Sequence, residues 1–273
     1  MDAIDRLGWA VGISIDSYGA RVGVRVSEPD ALPLLLDRLP PGWQAKPVRS
    51  VERLYSLVVG GNGNGRVRRL NLLYGDHELL ARSRGLDEAV DAFAADVQLH
   101  VAEWARRRVF VHAGAVGWDG RAIVLPGRSF TGKTTLVAAL VRAGATYYSD
   151  DYAVLDAHGR VHPFPRPLSI RPKGSQLQER HAVETLGGVA GARPLPVGLV
   201  VVTAYDSRVK GWRPRRLSSG RGVLELLAHS VAARRRPEAV IAALEQAASS
   251  APILKGRRGE ADRVAAKILE AAT

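Results

Sequence analysis

Cysteine is absent from the 273-residue chain. That absence excludes disulfides, Cys-ligated zinc and thiol chemistry together, and it suits a reducing compartment. Long apolar runs are also missing: none approaches the ~20 residues that a membrane-spanning helix needs. The first residues, Met1-Asp2-Ala3-Ile4-Asp5, are acidic and lack the apolar core of a signal peptide. Aromatic residues make up only 6%, and no stretch interleaves them with basic residues as a nucleic-acid reader would. The expectation is a soluble, cytoplasmic protein with no membrane partner and no nucleic-acid partner.

What is present fits an ordinary buried core. Apolar residues account for 46% of the chain, and the length suits one large domain or two smaller ones. The net charge of +12 is unevenly spread. Residues 1–108 hold 15 Lys/Arg against 14 Asp/Glu, whereas residues 109–273 hold 24 against 13. The basic excess points to anions handled by the second half: nucleotide, phosphate, an acidic substrate or nucleic acid.

That half also carries the most informative segment. Gly127-Arg128-Ser129-Phe130-Thr131-Gly132-Lys133-Thr134 fits the phosphate-cradling pattern G-x-x-x-x-G-K-[ST]. It follows the apolar run Ala122 to Pro126 and opens a helix-like run, Thr135 to Val141. Strand, glycine loop and helix together make a physical site: backbone amides close around an anion, and the helix N-terminus adds partial positive charge. Residues 127–135 are expected to hold a nucleoside triphosphate. Lys133 can reach the β- and γ-phosphates, and the Thr134 hydroxyl can ligate Mg²⁺.

The remaining pattern reads as α/β throughout. In the first half, Ala20–Val26, Arg53–Val59, Val67–Tyr74 and His77–Arg82 read as strands, and Pro29–Leu39 as a short helix. Gly60-Gly61-Asn62-Gly63-Asn64-Gly65 lacks a lysine and a following helix, so it reads as a hairpin loop. Asp87–Arg108 has Val90, Phe93, Val97, Val101 and Trp104 at helical spacing, with Asp87 as cap and the arginines at its end. In the second half, Val109–Val116 forms a strand, turning at Trp118-Asp119-Gly120 into the strand of the glycine loop. Gly144 ends the following helix. Short strands flank Asp150-Asp151, and Val161–Pro172, with its prolines, is extended. Gly198–Ala204 reads as a buried strand ending near Asp206. Helices are expected over Val223–Arg235, Pro237–Ala248 and Glu260–Ala272.

Chemistry at a terminal phosphate needs a metal ligand and a group that takes a proton from the attacking hydroxyl. Two acidic sites compete: Asp206, after an apolar strand, and the Asp150-Asp151 doublet. His112 and Arg171 are weak candidates on their own.

The order Val111-His112-Ala113-Gly114, glycine loop, Tyr148-Ser149-Asp150-Asp151 resembles the catalytic domain of HPr kinase/phosphorylase over residues 109–175. Phrases such as Tyr147 to Asp156, His162 to Leu168 and Leu254 to Ala261 are similar to a bacterial group of HPr-kinase-like proteins. Some members of that group accompany pathways for modified ribosomal peptides, where a serine is phosphorylated. The resemblance implies a P-loop kinase domain at 109–273 behind a smaller N-terminal α/β domain at 1–108. By residue, it implies Lys133 and Thr134 on phosphate and Mg²⁺, Asp150 as the base, Asp151 supporting metal or nucleophile, and His112 bonded to the aspartate pair. It places Asp150-Asp151 ahead of Asp206, and it makes Arg171, Arg258 and Glu260 candidates for substrate or phosphate contact. The family's later glycine-rich signature, tied to dephosphorylation, is missing, and the N-terminal half does not match the parent family's regulatory domain. The parent family forms hexamers, which extends the implication to a homo-oligomer.

The expected activity is Mg-ATP-dependent phosphoryl transfer to a hydroxyl, foremost a Ser or Thr of a protein or peptide. A small-molecule hydroxyl acceptor and an ATP-hydrolysing, nucleotide-sensing module stay open beside it.

Overall fold

A computed structural model describes residues 3–60, 70–128, 131–170, 179–249 and 251–273. The expectations for Gly61–Gly65, the start of the Val67–Tyr74 strand, Ser129, Phe130, Arg171 and Pro172 lie outside the described residues. The chain is mixed α/β, with six α-helices among the described residues. It divides into two compact units, Met1–Arg107 and Arg108–Thr273.

The first unit is built on a six-stranded sheet. Its strands are β1 (Val11–Ser17), β2 (Ala20–Val26), β3 (Gln44–Ala45), β4 (Arg53–Val58), β5 (Asn71–Gly75) and β6 (Glu78–Ser83), in the order β3-β1-β2-β4-β5-β6. Helix α1 (Ala31–Leu36) bridges β2 and β3 in sequence, and α2 (Leu86–Trp104) covers β4, β5 and β6. The apolar stripe of α2 supplies Val90, Phe93, Val97 and Val101 to the core, where Phe93 meets Tyr55 edge-to-face at 5.0 Å. Gly85, not Asp87, occupies the N-cap of α2, and Asp87 instead lies in the first turn with Glu88, where acidic charge suits the helix dipole. The helix ends before the arginines. Arg106 and Arg107 donate their backbone N–H groups to the Tyr18 carbonyl at 3.0 and 3.1 Å, and their side chains pair with Glu52 and Asp16. Their charge is therefore spent on closing this unit.

The second unit positions the site. Strands β7 (Val109–Trp118) and β8 (Arg121–Pro126) form the expected hairpin. Helix α3 (Lys133–Arg142) follows, then β9 (Thr146–Ser149), β10 (Tyr152–Leu155) and β11 (Val161–His162). Strands β12 (Leu168–Ile170) and β13 (Glu179–His181) make a separate ribbon. The main sheet is completed by β14 (Val197–Val202), β15 (Arg215–Leu217) and β16 (Ile253–Lys255), in the order β11-β10-β7-β8-β14-β16-β15, with β9 also paired to β7. Within this sheet, among the described residues, only β8, β14 and β16 run parallel. Every residue of β14 is buried, which is why it reads as an uninterrupted apolar run.

Helices cover both faces of this sheet. Helix α3 and α6 (Ala261–Glu270) share one core with Ile123, Leu125, Leu199 and Val201. Helices α4 (Ser219–Leu227) and α5 (Pro237–Ser249) share the other with Val124, Val200 and Ile253. The helix expected over Val223–Arg235 stops at Leu227. The cause is the sheet: His229 O accepts the N–H of His112 at 2.8 Å, and Ser230 bridges Val111, so the backbone leaves helical geometry for a strand-like contact. On the α3 face, an added Cβ at Gly114 would lie 2.6 Å from Val137 Cγ2, so glycine there lets the helix lie close on β7.

Candidate active site

The loop between β8 and α3 sits at the end of the sheet where β7, β8 and the β9–β10 turn come together. Gly132, the N-cap of α3, has φ +83°, a left-handed conformation natural to glycine. Lys133 curls back over the loop: its Nζ donates to the carbonyls of Gly127 and Arg128, both at 2.8 Å. Burial pushes the ammonium pKa below its ordinary value, and Asp151, then Asp150, oppose that shift. Thr131 Oγ1 donates to Arg128 O at 2.8 Å, which tightens the turn. Thr135 is exposed in the first turn of α3.

The two aspartates face different ways, as adjacent residues in a tight turn must. Ser149 Oγ accepts the N–H of Asp151 at 3.2 Å and of Tyr152 at 3.0 Å, so the Ser-Asp-Asp triplet makes its own turn. Asp150 points inward and is only 7% exposed. It accepts three hydrogen bonds: Thr134 Oγ1 to Oδ2 at 2.9 Å, Tyr147 Oη to Oδ1 at 2.9 Å, and Ser169 N to Oδ2 at 3.4 Å. Burial nevertheless raises its pKa; the hydroxyl donors Thr134 and Tyr147 pull it down, and the Asp151 charge adds to the rise. Asp151 points outward, with its side chain 39% exposed. Its Oδ1 lies 3.1 Å from His112 Nε2, and its Oδ2 lies 3.7 Å from Arg166 Nη1.

His112 joins these parts through the backbone as well. Its carbonyl accepts the N–H of Gly127 at 3.3 Å, and Ala113 N–H donates to Asp151 O at 3.0 Å. Loop and aspartate turn are thus tied to the same two residues of β7. His112, Lys133, Thr134, Asp150 and Asp151 form one cluster.

Three other candidates stand elsewhere. Arg258 is 2% exposed and lies under the loop, donating Nη2 to Gly132 O at 2.8 Å and Nη1 to Gly259 O at 2.9 Å. Its guanidinium holds the backbone at Gly132, the N-cap of α3. Glu260 is exposed at the N-cap of α6, accepting the Tyr205 hydroxyl at 2.8 Å. Asp206 is held by Arg208 at 3.2 Å and Arg257 at 2.7 Å, and these two partners keep its carboxyl below the usual range. Sequence reasoning missed Tyr147, Arg166 and the loop-supporting role of Arg258. The Tyr147 signal was its place three residues before Asp150, on the strand that leads into the turn.

The oxygen donors at the loop suit a hard cation. Thr134 Oγ1 and the Asp150 carboxylate are 2.9 Å apart, a hydroxyl and a carboxylate of the kind that Mg²⁺ accepts. Among the described residues, no group of three or more His, Asp or Glu side chains gathers as a protein-only metal cage. A magnesium ion here would take its remaining ligands from phosphate and water. No helix among the described residues is long and apolar enough to cross a membrane.

No protein-family model matches the chain, and no curated protein matches it. Among solved structures, the chain is similar to the HPr(Ser) kinase/phosphatase from Coxiella burnetii at 14% identity and a TM-score of 0.31, over 59% of this chain and 92% of that one.

Proposed function

We propose that the second unit is a Mg-ATP-dependent kinase that moves the γ-phosphoryl group of ATP to a hydroxyl, foremost a serine or threonine of a peptide or protein. The observation that carries this reading is the Thr134–Asp150 contact at the mouth of a glycine loop, with a separate His112–Asp151 pair beside it. A hydrolase needs a cradle and a positioned water. A kinase needs a cradle and a carboxylate that an incoming alcohol can reach, and the part-exposed Asp151, oriented by His112, is such a group.

The geometry favours exchanging the roles that the family resemblance implies for the two aspartates. Asp150 is buried and already accepts two hydroxyls, so it suits the metal side of the site with Thr134. The bound magnesium would neutralise charge on the phosphates. Asp151 is half-buried and oriented by His112, so it suits the acceptor side. In the step, the acceptor oxygen bonds to the γ-phosphorus as the bond from that phosphorus to the β–γ bridging oxygen breaks. The acceptor's proton passes to the Asp151 carboxylate, and ADP leaves. Lys133 exchanges its loop carbonyls for phosphate oxygens, and the helix N-terminus adds to the field.

The test is incubation with γ-labelled ATP and a peptide pool, followed by identification of labelled species. Wild type is expected to label a hydroxyl-bearing acceptor. Lys133→Ala removes nucleotide binding, while Asp151→Asn keeps nucleotide affinity and loses transfer. Full transfer by Asp151→Asn would return the base to Asp150, and nucleotide binding with no labelled acceptor would favour a sensing or hydrolysing module.

A further inference from the structure

A strongly basic lining adjoins the glycine loop. A cavity of about 590 Å³ opens between the loop and the ends of β14, β15 and β16. Gly127 and Arg128 of the loop form one wall, and Arg213, Arg215, Lys255 and Arg257 form another. No carboxylate lines it among the described residues. Lys255 and Arg257 have acidic partners at its margin, Glu225 and Asp206. Arg213 and Arg215 are exposed, and no carboxylate among the described residues pairs with either.

Strand pairing makes this concentration of charge costly. Arg215 lies directly opposite Lys255 in the β15–β16 ladder, and like charges facing one another on a sheet are destabilising. His229, also in the wall, has its pKa lowered by burial first and then by the charges of His112, Lys133 and Arg128, with Glu225 opposing. A nucleoside base has no negative charge to answer such a lining, and the triphosphate already has Lys133 and the loop amides. A different anion is called for.

The ladder also indicates its shape. β15 is the last strand of the sheet path among the described residues; Arg215 opens it, and Arg213, two residues earlier, lines the same cavity. An added strand would set every second side chain against them. We infer that this cavity and its edge strand bind an acidic, extended peptide segment, which brings a nearby hydroxyl to the phosphoryl group. The inference rests on the kinase reading for the transfer, but not for the binding.

The experiment uses the full chain and a fluorescein-labelled peptide with Glu at alternate positions and a single serine, read by fluorescence anisotropy. Versions with Gln for Glu and with Ala for serine separate charge from acceptor chemistry. The Glu peptides are expected to bind with or without the serine, and the Gln peptide at least about tenfold more weakly. Arg213→Gln and Arg215→Gln should each weaken binding about tenfold, and the pair about a hundredfold. Arg216→Gln, on the opposite face of β15, should change nothing. A fluorescent ATP analogue should bind the double variant as it binds wild type. The inference is overturned if the Gln peptide binds equally well, or if the double variant binds the Glu peptide normally. It is overturned too if a single-stranded oligonucleotide or inorganic phosphate displaces the peptide at lower concentration than unlabelled peptide does, or if affinity for the ATP analogue falls in parallel, which would make the cavity the nucleotide's seat. Failure of the ATP analogue to bind wild type would instead sink the kinase reading and leave peptide binding standing.

Discussion

Replacing Asp150 by Asn is expected to make the protein more stable while abolishing its activity. The carboxyl is 7% exposed, and burial penalises its charged form. The amide fits the same contacts. Its oxygen takes the place of Oδ2, accepting from Thr134 Oγ1 and Ser169 N. Its NH₂ then faces Tyr147 Oη, which can accept from it while donating its own proton to Arg166 O, now 2.8 Å away. No polar group is orphaned, and a buried charge is removed. Lys133 loses one of its two carboxylates but keeps Asp151, the stronger influence on it. The net gain should be ~1 kcal/mol, a rise of ~3 °C in the unfolding midpoint for a unit of this size. The pH dependence follows from the sign of the shift. A carboxyl whose folded pKa is raised adds stability below its unfolded pKa and loses it as pH rises through the folded pKa. The gap between variant and wild type should therefore be widest at neutral pH and close as pH falls toward ~4. Calorimetry across that range checks it. A variant no more stable than wild type at neutral pH, or a gap indifferent to pH, would refute the reasoning.

Three further outcomes are expected. Arg258→Met removes the guanidinium donor from Gly259 O and from Gly132 O, which keeps only the Leu136 N–H, and should cost ~1–2 kcal/mol in thermal unfolding and weaken binding of a fluorescent ATP analogue. Gly114→Ala drives a methyl against Val137 and should cost ~1–3 kcal/mol by overpacking, read by denaturant titration. Asp206→Asn, with its carboxylate bound to two exposed arginines, should leave the Mg²⁺ dependence of transfer unchanged; a large rise in the Mg²⁺ requirement would make it the metal ligand after all.

Local chemistry was legible in the sequence and distant pairing was not. The β7–β8 hairpin, the glycine loop, α3 and the Ser-Asp-Asp turn each declare themselves within a few residues, through turn chemistry, glycines and period. Strand β14 was visible because a strand covered on both faces needs no polar residue. Strand β1 was missed although Val11, Ile13 and Ile15 alternate with Gly12, Ser14 and Asp16. Strand β16 was missed because its three residues are specified by pairing with Val200–Val202, some fifty positions earlier. The break after Leu227 depends on His112, more than a hundred residues upstream. Arg258 drew attention as a basic residue near a motif-like phrase, but its meeting with Gly132 is a product of the folded chain alone. The split between the aspartates had the same origin: adjacency in sequence was plain, but which one meets Thr134 and which meets His112 depends on the sheet that supports the turn.

The curled lysine has a thermodynamic corollary. A free Lys side chain holds ~2 kcal/mol of rotamer entropy, and Lys133 surrenders much of it on folding, when its ammonium docks onto Gly127 O and Arg128 O. If the loop takes a polyanion as proposed, that ligand would meet a cation already reined in above the cradle. Capture would then be a swap of oxygen partners, with little disorder left to quench.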